Sequence, residues 1–270
     1  MSPKDHAVAA LESTRSFWNS SPCNGQSTLE ARRRYRYTVE PYLPETARRI
    51  ASRHAQVVEV GCGMGTDAFN LCAQLPEHGR YLGLDYSPDS IAAAEAAVAE
   101  AGQLKVRPSF RVANAEALDL ESGSVECVYS MGVLHHTAHP QRAIDEIMRV
   151  LQPGGRAYVY LYRTWGPKVM VAKALRAIQR LLDAALGRER CLYALVKGYH
   201  FERFLGTAVL ECFGVPHLDC YDEVEMRRMF SDFRINELYP VGYSLPWLHS
   251  DTEAKGPLGY FWFIEVEKVA

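Results

Sequence analysis

The sequence carries almost no net charge. Across 270 residues, 30 lysines and arginines meet 32 aspartates and glutamates, a formal balance of -2. No overall field therefore draws the chain toward DNA, RNA or an anionic membrane, and neither nucleic acid nor membrane is expected as a partner. The sequence has no C-x-x-C pair and an odd cysteine count of seven. That excludes a zinc ribbon and a fully paired disulfide framework, and leaves reduced, largely buried thiols. No run of roughly 18 apolar residues passes without a charge, and the first residues, Met-Ser-Pro-Lys-Asp-His, lack a basic stretch followed by an apolar one. A soluble, cytoplasmic protein is expected. With 19 glycines, 14 prolines and no internal repeat, collagen-like, solenoid and disordered classes are excluded. What is present, 48% hydrophobic and 23% charged residues, suits a globular chain with one sizeable core and decorations.

Short apolar runs alternate with helical patterns through the middle of the chain. Residues 56–60, 81–84, 110–112, 125–130 and 156–162 read as strands, and residues 66–74, 90–100 behind the Ser87-Pro88 start, and 141–151 read as helices. That alternation predicts an α/β fold with a mostly parallel sheet covered on both faces. Residues 223–230 read as a further helix, and 234–239 and 260–266 as two more strands, the last with the alternation of an antiparallel strand suited to a sheet edge. Four parts follow. Residues 1–54 form an N-terminal helical lid segment, with Phe17-Trp18 and then a helix from Ala31 to Tyr42. Residues 55–163 form a core, 164–214 a helical cap insertion, and 215–270 the C-terminal part of the core. In the cap, Val171, Leu175, Ile178 and Leu182 make an apolar stripe, with Lys168, Lys173, Arg176 and Arg180 elsewhere on the helix. Such a basic amphipathic helix is either a solvated face over a lid or a face for a membrane surface or an acidic partner.

Directly after the first strand comes Gly61-Cys62-Gly63-Met64-Gly65-Thr66, a turn that lets backbone approach a ligand closely while the free amides of the next helix point at it. Asp85 ends the second strand 24 residues beyond Gly61, near the separation of about 20 at which a carboxylate meets ribose hydroxyls. Loop and carboxylate together indicate an adenosine-type ligand. The spacing is G-x-G-x-G, with Thr66 where a dinucleotide loop of the G-x-G-x-x-G type has its last glycine, which weighs against a two-phosphate cofactor.

Val57-Val58-Glu59-Val60-Gly61-Cys62-Gly63-Met64-Gly65-Thr66 resembles the first motif of the class I S-adenosylmethionine-dependent methyltransferases. So do, in the family's order, Leu82-Gly83-Leu84-Asp85-Tyr86-Ser87, Asn114-Ala115-Glu116-Ala117-Leu118, Val128 through Met131 to His135-His136, the helix 143–151, and Leu151-Gln152-Pro153-Gly154-Gly155-Arg156. Together these span residues 55–162. The resemblance implies a Rossmann-like seven-stranded sheet with its last strand antiparallel, and S-adenosylmethionine as cofactor with S-adenosylhomocysteine as product. It places Glu59, Gly61 and Gly63, with Gly65, around the methionine part, Asp85 and Tyr86 at the ribose, Asn114 and Ala115 at the adenine, and Met131 at the cofactor-facing end of the fourth strand. The stretch from Phe17-Trp18 to Cys23, followed by the stretch from Arg33 to Tyr42, also resembles a front end found in a subset tied to natural-product modification.

Methyl transfer from an activated sulfonium needs chiefly an acceptor atom held in line and dry. An acceptor hydroxyl also needs a base, and a histidine suits neutral pH. His135 and His136, just past the fourth strand, are the catalytic candidates, and they favour O-methylation, of a hydroxyl or carboxylate, on a small molecule or short peptide. N- or C-methylation of a small metabolite is the alternative, and an NAD(P)-dependent oxidoreductase or a non-catalytic cofactor-binding module the rivals of another class. Tyr35, Tyr37 and Tyr162 are candidates to wall the acceptor site, Arg33 and Arg36 to hold an acceptor carboxylate or phosphate, and His200 to reach over from the cap. Cys23 has no adjoining partner that would make it a nucleophile, and nothing calls for a metal.

Overall fold

A computed structural model of the chain describes residues 12–19, 28–198, 213–242 and 255–269. Its strands are β1 (Gln56–Val60), β2 (Arg80–Asp85), β3 (Ser109–Val112), β4 (Val125–Met131), β5 (Leu151–Tyr162), β6 (Arg234–Val241) and β7 (Phe261–Glu267). They form one sheet in the order β3-β2-β1-β4-β5-β7-β6, parallel except for β7. The chain runs outward from β1 to β3 and then returns to lay β4 on the other side of β1. The crevice of such a sheet opens at that reversal, beyond the carboxyl ends of β1 and β4.

Side chains alternate along each strand, so the β-branched and aromatic runs feed two cores. On one face Tyr158, Tyr160 and Tyr162 of β5 join Ile50 of α3 (Leu43–Ala51), Leu71 and Cys72 of α4 (Thr66–Gln74) and Ala94 of α5 (Pro88–Glu100). On the other, Ala157, Val159 and Leu161 of the same strand join Ile144 and Ile147 of α6 (Pro140–Val150) and Met226 of α9 (Glu223–Met229). Two of the tyrosine hydroxyls buried on the first face are answered: Tyr160 shares a 2.6 Å hydrogen bond with Thr46, and Tyr158 one of 3.2 Å with His54.

The chain around residues 31–42 is two helices. Thr28 caps α2 (Leu29–Val39) by accepting from the amide of Ala31, and α2 ends ahead of Pro41, whose ring cannot continue a helix. Residues 12–19 form a further helix, α1. The cap region contains α7 (Pro167–Leu186) and α8 (Cys191–Gly198), while residues 199–212 of that region lie outside the described residues.

The last strand departs from the expected edge position. β7 is antiparallel but interior, bonded to β5 on one side and β6 on the other, and β6 is the edge. The alternation misled because its polar member is buried: Glu265 is 2% exposed. Arg49, Arg53 and Arg156 answer its carboxylate at 3.2, 3.0 and 2.8 Å, and a buried charge persists only when paired in this way.

Ile147 is fully buried between α6 and the sheet. Ile147→Ala is expected to lower unfolding free energy by about 2–5 kcal/mol in a urea titration. A loss well below that range would contradict this placement of the second core.

Candidate functional site

The turn after β1 is built by its glycines. Gly61 sits at φ +82°, and a Cβ there would come within 2.1 Å of the Val133 side chain, so the loop lies directly on the exit of β4. Gly65 sits at φ +73° as the residue before α4, and a Cβ there would meet the Phe110 ring at 2.9 Å and Ala94 at 3.1 Å. Only glycine takes these conformations without strain. The amides of Gly61 and Cys62 donate to the carbonyl of Leu84, which joins this turn to the end of β2. Asp85 completes the joint: its Oδ2 accepts from the Gly63 amide at 2.8 Å and its Oδ1 from the Ser87 amide at 2.9 Å. Burial raises the Asp85 pKa, and these amides pull it the other way.

These turns frame a cavity of about 1190 Å3, counting its open mouth, at the carboxyl ends of β1, β2 and β4. Glu59, Gly61, Gly63, Asp85, Tyr86, Asn114, Ala115, Met131 and His136 are on its wall. Asn114 is held by an Asx turn, its Oδ1 accepting from the Glu116 amide at 2.9 Å. Helix α1 lies across the mouth, contributing Thr14, Arg15 and Trp18. Arg15 stands 5.6 Å over the Tyr86 ring, the Trp18 ring is 5.5 Å from that of His136, and Ser87 donates to Asn19 at 2.5 Å.

One end of the cavity holds buried charge. Arg36 gives Nη2 to Asp67 Oδ2 at 2.8 Å and pairs through Nη1 with Glu40 at 3.0 Å. Burial works against the Arg36 charge, but Asp67 and Glu40 outweigh it and hold the guanidinium above its ordinary range. Tyr129 also donates to Asp67, at 3.4 Å. Glu59 accepts from the Tyr81 hydroxyl, and burial, followed by the charge of Asp67, pushes its pKa up. Two polar atoms of this group, Arg36 Nε and Asp67 Oδ1, are buried without a hydrogen-bond partner among the described residues. Both residues line the cavity, which thus offers one unused donor and one unused acceptor at this end.

The two histidines sit on a single 3-10 turn, Leu134–His136, but differ in setting. His136 is on the cavity wall, and its Nδ1 is 2.9 Å from the carbonyl oxygen of His217. A carbonyl only accepts, so Nδ1 carries the proton and Nε2 keeps the lone pair. Burial lowers the His136 pKa to about 4, so the ring is neutral at pH 7. His135 is fully buried against Tyr162, 4.2 Å between ring centroids, and is absent from the cavity wall. Neither of its ring nitrogens has a hydrogen-bond partner among the described residues. Burial, then the neighbouring His136 and His217, hold its pKa well below the ordinary range.

Several expected site residues lie elsewhere. Gly65 packs against Phe110 rather than lining the cavity, and Tyr162 stacks on Phe261, centroids 4.6 Å apart. Tyr37 gives its hydroxyl to the Thr66 carbonyl at 3.4 Å, bracing α2 against α4, and Tyr35 is half-buried away from the wall. Arg33 is exposed on α2. Arg36 reaches the wall, though from within an ion-pair group on the glycine-loop side. His200 and Cys23 are outside the described residues. Sequence reasoning gave no role of their own to Asp67 or Arg15, and placed Trp18 only within the expected lid segment. An acid in the first turn of the helix after the glycine loop was the available signal for Asp67.

Residues 58–159 match the family model described as a methyltransferase domain. The chain is 30% identical over 176 residues to a ubiquinone biosynthesis O-methyltransferase of Cupriavidus pinatubonensis, covering 64% of this chain and 63% of that protein. It is 30% identical over 140 residues to a phosphatidylethanolamine N-methyltransferase of Cereibacter sphaeroides, covering 51% of this chain and 66% of the other. It thus spans less than two thirds of the length of the curated relatives it matches first. Among solved structures, the magnesium protoporphyrin IX methyltransferase of Synechocystis PCC 6803 with bound S-adenosylhomocysteine superposes with a TM-score of 0.60 at 14% identity. That match covers 96% of this chain and 99% of the other, a likeness of fold.

The setting of His136 has a direct consequence in solution. Its ring resonances in a proton–carbon NMR titration are expected to stay unshifted between pH 8 and roughly pH 5.5, with protonation centred near 4, whereas a free imidazole titrates near 6.5. A midpoint at the free value would contradict the buried, neutral ring. The unfolded chain takes up that proton below about pH 6.5 and the folded chain does not. The stability contributed by His136 is therefore complete above that pH and is lost as pH falls toward 4.

Proposed function

Because the chain belongs to the class I S-adenosylmethionine-dependent methyltransferases, we propose that it methylates an oxygen, hydroxyl or carboxylate, of a small molecule or short peptide by in-line displacement. The observation that carries this reading is the neutral His136 on the wall of the cavity that Asp85 and the glycine turn frame. When bound, S-adenosylmethionine supplies a methyl group already activated on a positively charged sulfur and leaves as S-adenosylhomocysteine.

The wall fits that cofactor residue by residue. Asp85 accepts hydroxyl donors from the ribose on the oxygen lone pairs that its two amide bonds leave over. Asn114 and Ala115 take the adenine end. At the other end the unused acceptor Asp67 Oδ1 suits an ammonium and the unused donor Arg36 Nε a carboxylate, the two charges of the cofactor's amino-acid tail. Arg36 is therefore assigned to the cofactor rather than to the acceptor molecule.

His136 is assigned as the base. With Nδ1 engaged by His217, Nε2 is the nitrogen that takes a proton. Its low pKa makes it a weak base, suited to an acceptor that gives up its proton only as the new carbon–oxygen bond forms; a carboxylate acceptor needs no base at all. This favours oxygen over an amine, which at neutral pH would have to lose a proton first. His135, off the wall and packed on Tyr162, is assigned to positioning its neighbour.

Helix α1, which lines the cavity with Thr14, Arg15 and Trp18, serves as a lid that keeps bulk water from the site, within the lid segment 1–54. Residues 164–214, joined to His136 through residues 215–217, are assigned as the cap that selects the acceptor. The two relatives are named for ubiquinone biosynthesis and phosphatidylethanolamine, which supports a small-molecule acceptor over a nucleic acid. The front end of the sequence supports a place among family members that modify natural products. The free thiols of Cys62, Cys72, Cys127, Cys191 and Cys220 support the reducing cytoplasm.

Asp85→Ala is expected to weaken S-adenosylhomocysteine binding about 10- to 100-fold, the range for a lost hydrogen bond to a charged group, and His136→Ala is expected to leave that binding intact while lowering turnover about 100-fold or more. Unchanged binding in the first variant removes the ribose contact, and full turnover in the second removes the base.

A further inference from the structure

The outward face of α7 is apolar from end to end. At the 100° per residue of an α-helix, Met170, Val171, Ala174, Ile178, Leu181 and Leu182 fall on one arc, with only alanines and a proline between them. Ile178 is 48% exposed and Leu181 72%. The helix also has an inner apolar side, where Val169 and Ala172 are buried and Leu175 packs against Phe213. Leu175, expected in the outer stripe, is thus turned inward, and the outer face is broader than the sequence spacing indicated. Trp165, just before the helix, is 65% exposed.

Cations follow the margins of this face. Lys173 and Arg180 run along one edge and neither forms an ion pair among the described residues. Residues 165–195 hold six lysines and arginines against two acids, in a chain whose overall balance is -2. A small net charge for the whole chain therefore conceals a basic segment, of which Arg176 and Arg190 turn to the carbonyls of residues 214–216 while Lys173 and Arg180 follow the outer face. A second copy brought against it would meet charge of the same sign.

We propose that this face of α7 seats the protein on an anionic lipid surface, the apolar arc entering the headgroup boundary and the flanking cations resting on the phosphates. The global charge argument against a membrane partner thus fails locally. The seat also adjoins the site. Arg176, on the inner side of α7, donates to the carbonyls of Val215 at 2.7 Å and Pro216 at 3.2 Å, and the next residue, His217, holds His136. The chain of contacts from α7 through residues 215–217 to His136 suits an amphiphilic acceptor. That last step rests on the methyl-transfer reading, and the seating itself does not.

Co-sedimentation of the full chain with vesicles of phosphatidylcholine, and of phosphatidylcholine mixed in equal parts with phosphatidylglycerol, tests the seat. Binding to the mixed vesicles alone, weakened by salt, is expected. Each cation near such a surface is worth about fivefold, so K173E/R180E is expected to lose at least about tenfold, and I178E/L181E all measurable binding. Both variants should still bind S-adenosylhomocysteine as the parent does, which separates loss of the seat from loss of the cofactor site. Failure of the parent to bind mixed vesicles overturns the proposal, as does undiminished binding by K173E/R180E, a variant that leaves the apolar packing untouched. A dimer in gel filtration that I178E/L181E splits, without vesicle binding, assigns the face to a second copy and also overturns it.

Discussion

The carboxylate of Asp85 takes one backbone amide from each of two turns, Gly63 after β1 and Ser87 after β2, and so fixes the mouth of the sheet at one separation. The arrangement around it depends on that joint. Gly61 lies against Val133 because the turn is held there, and α4 starts at Thr66 because Gly65 adopts the left-handed conformation just before it. The Ser87 hydroxyl caps α5 by accepting from Ser90 and reaches Asn19 of the covering helix. An acid at the end of a strand thus organises a loop, two helix starts and, through Ser87, the contact with helix α1.

Charge is distributed along the cavity in a graded way. At one end Glu40, Asp67 and Glu59 are buried beside the half-buried Arg36, whose pairing with Glu40 and Asp67 offsets part of the desolvation cost. At the other, His136 is kept neutral by burial and by its bond to a carbonyl. The charged end leaves one donor and one acceptor unused, and the neutral end leaves the lone pair of His136 Nε2. Met131, Val133 and Leu84 add an apolar part to the same wall.

Much of the sheet was legible because its determinants are local. Strand β1 ends and helix α4 begins where the chain meets the glycine cluster, and Asp85 declares itself by spacing from the loop. What was not legible depends on partners far along the chain. Glu265 reads as a solvent-facing position until Arg49, Arg53 and Arg156 are seen around it, and that misplaced β7 at an edge. His135 and His136 are equivalent in sequence; the carbonyl of His217, 81 residues away, separates them. Arg36 reads as a holder of an acceptor carboxylate or phosphate until Asp67 is brought to it. The outer face of α7 was half legible: periodicity found the stripe, but which apolar side turns inward was decided by Phe213 and the sheet.

The most direct test is isothermal calorimetry of the full chain with S-adenosylhomocysteine and, separately, with NADH. One equivalent of S-adenosylhomocysteine binding in the micromolar range, with no heat from NADH, is the result predicted by a cavity of this shape and charge. Saturable binding of NADH, or none of S-adenosylhomocysteine, would contradict the account.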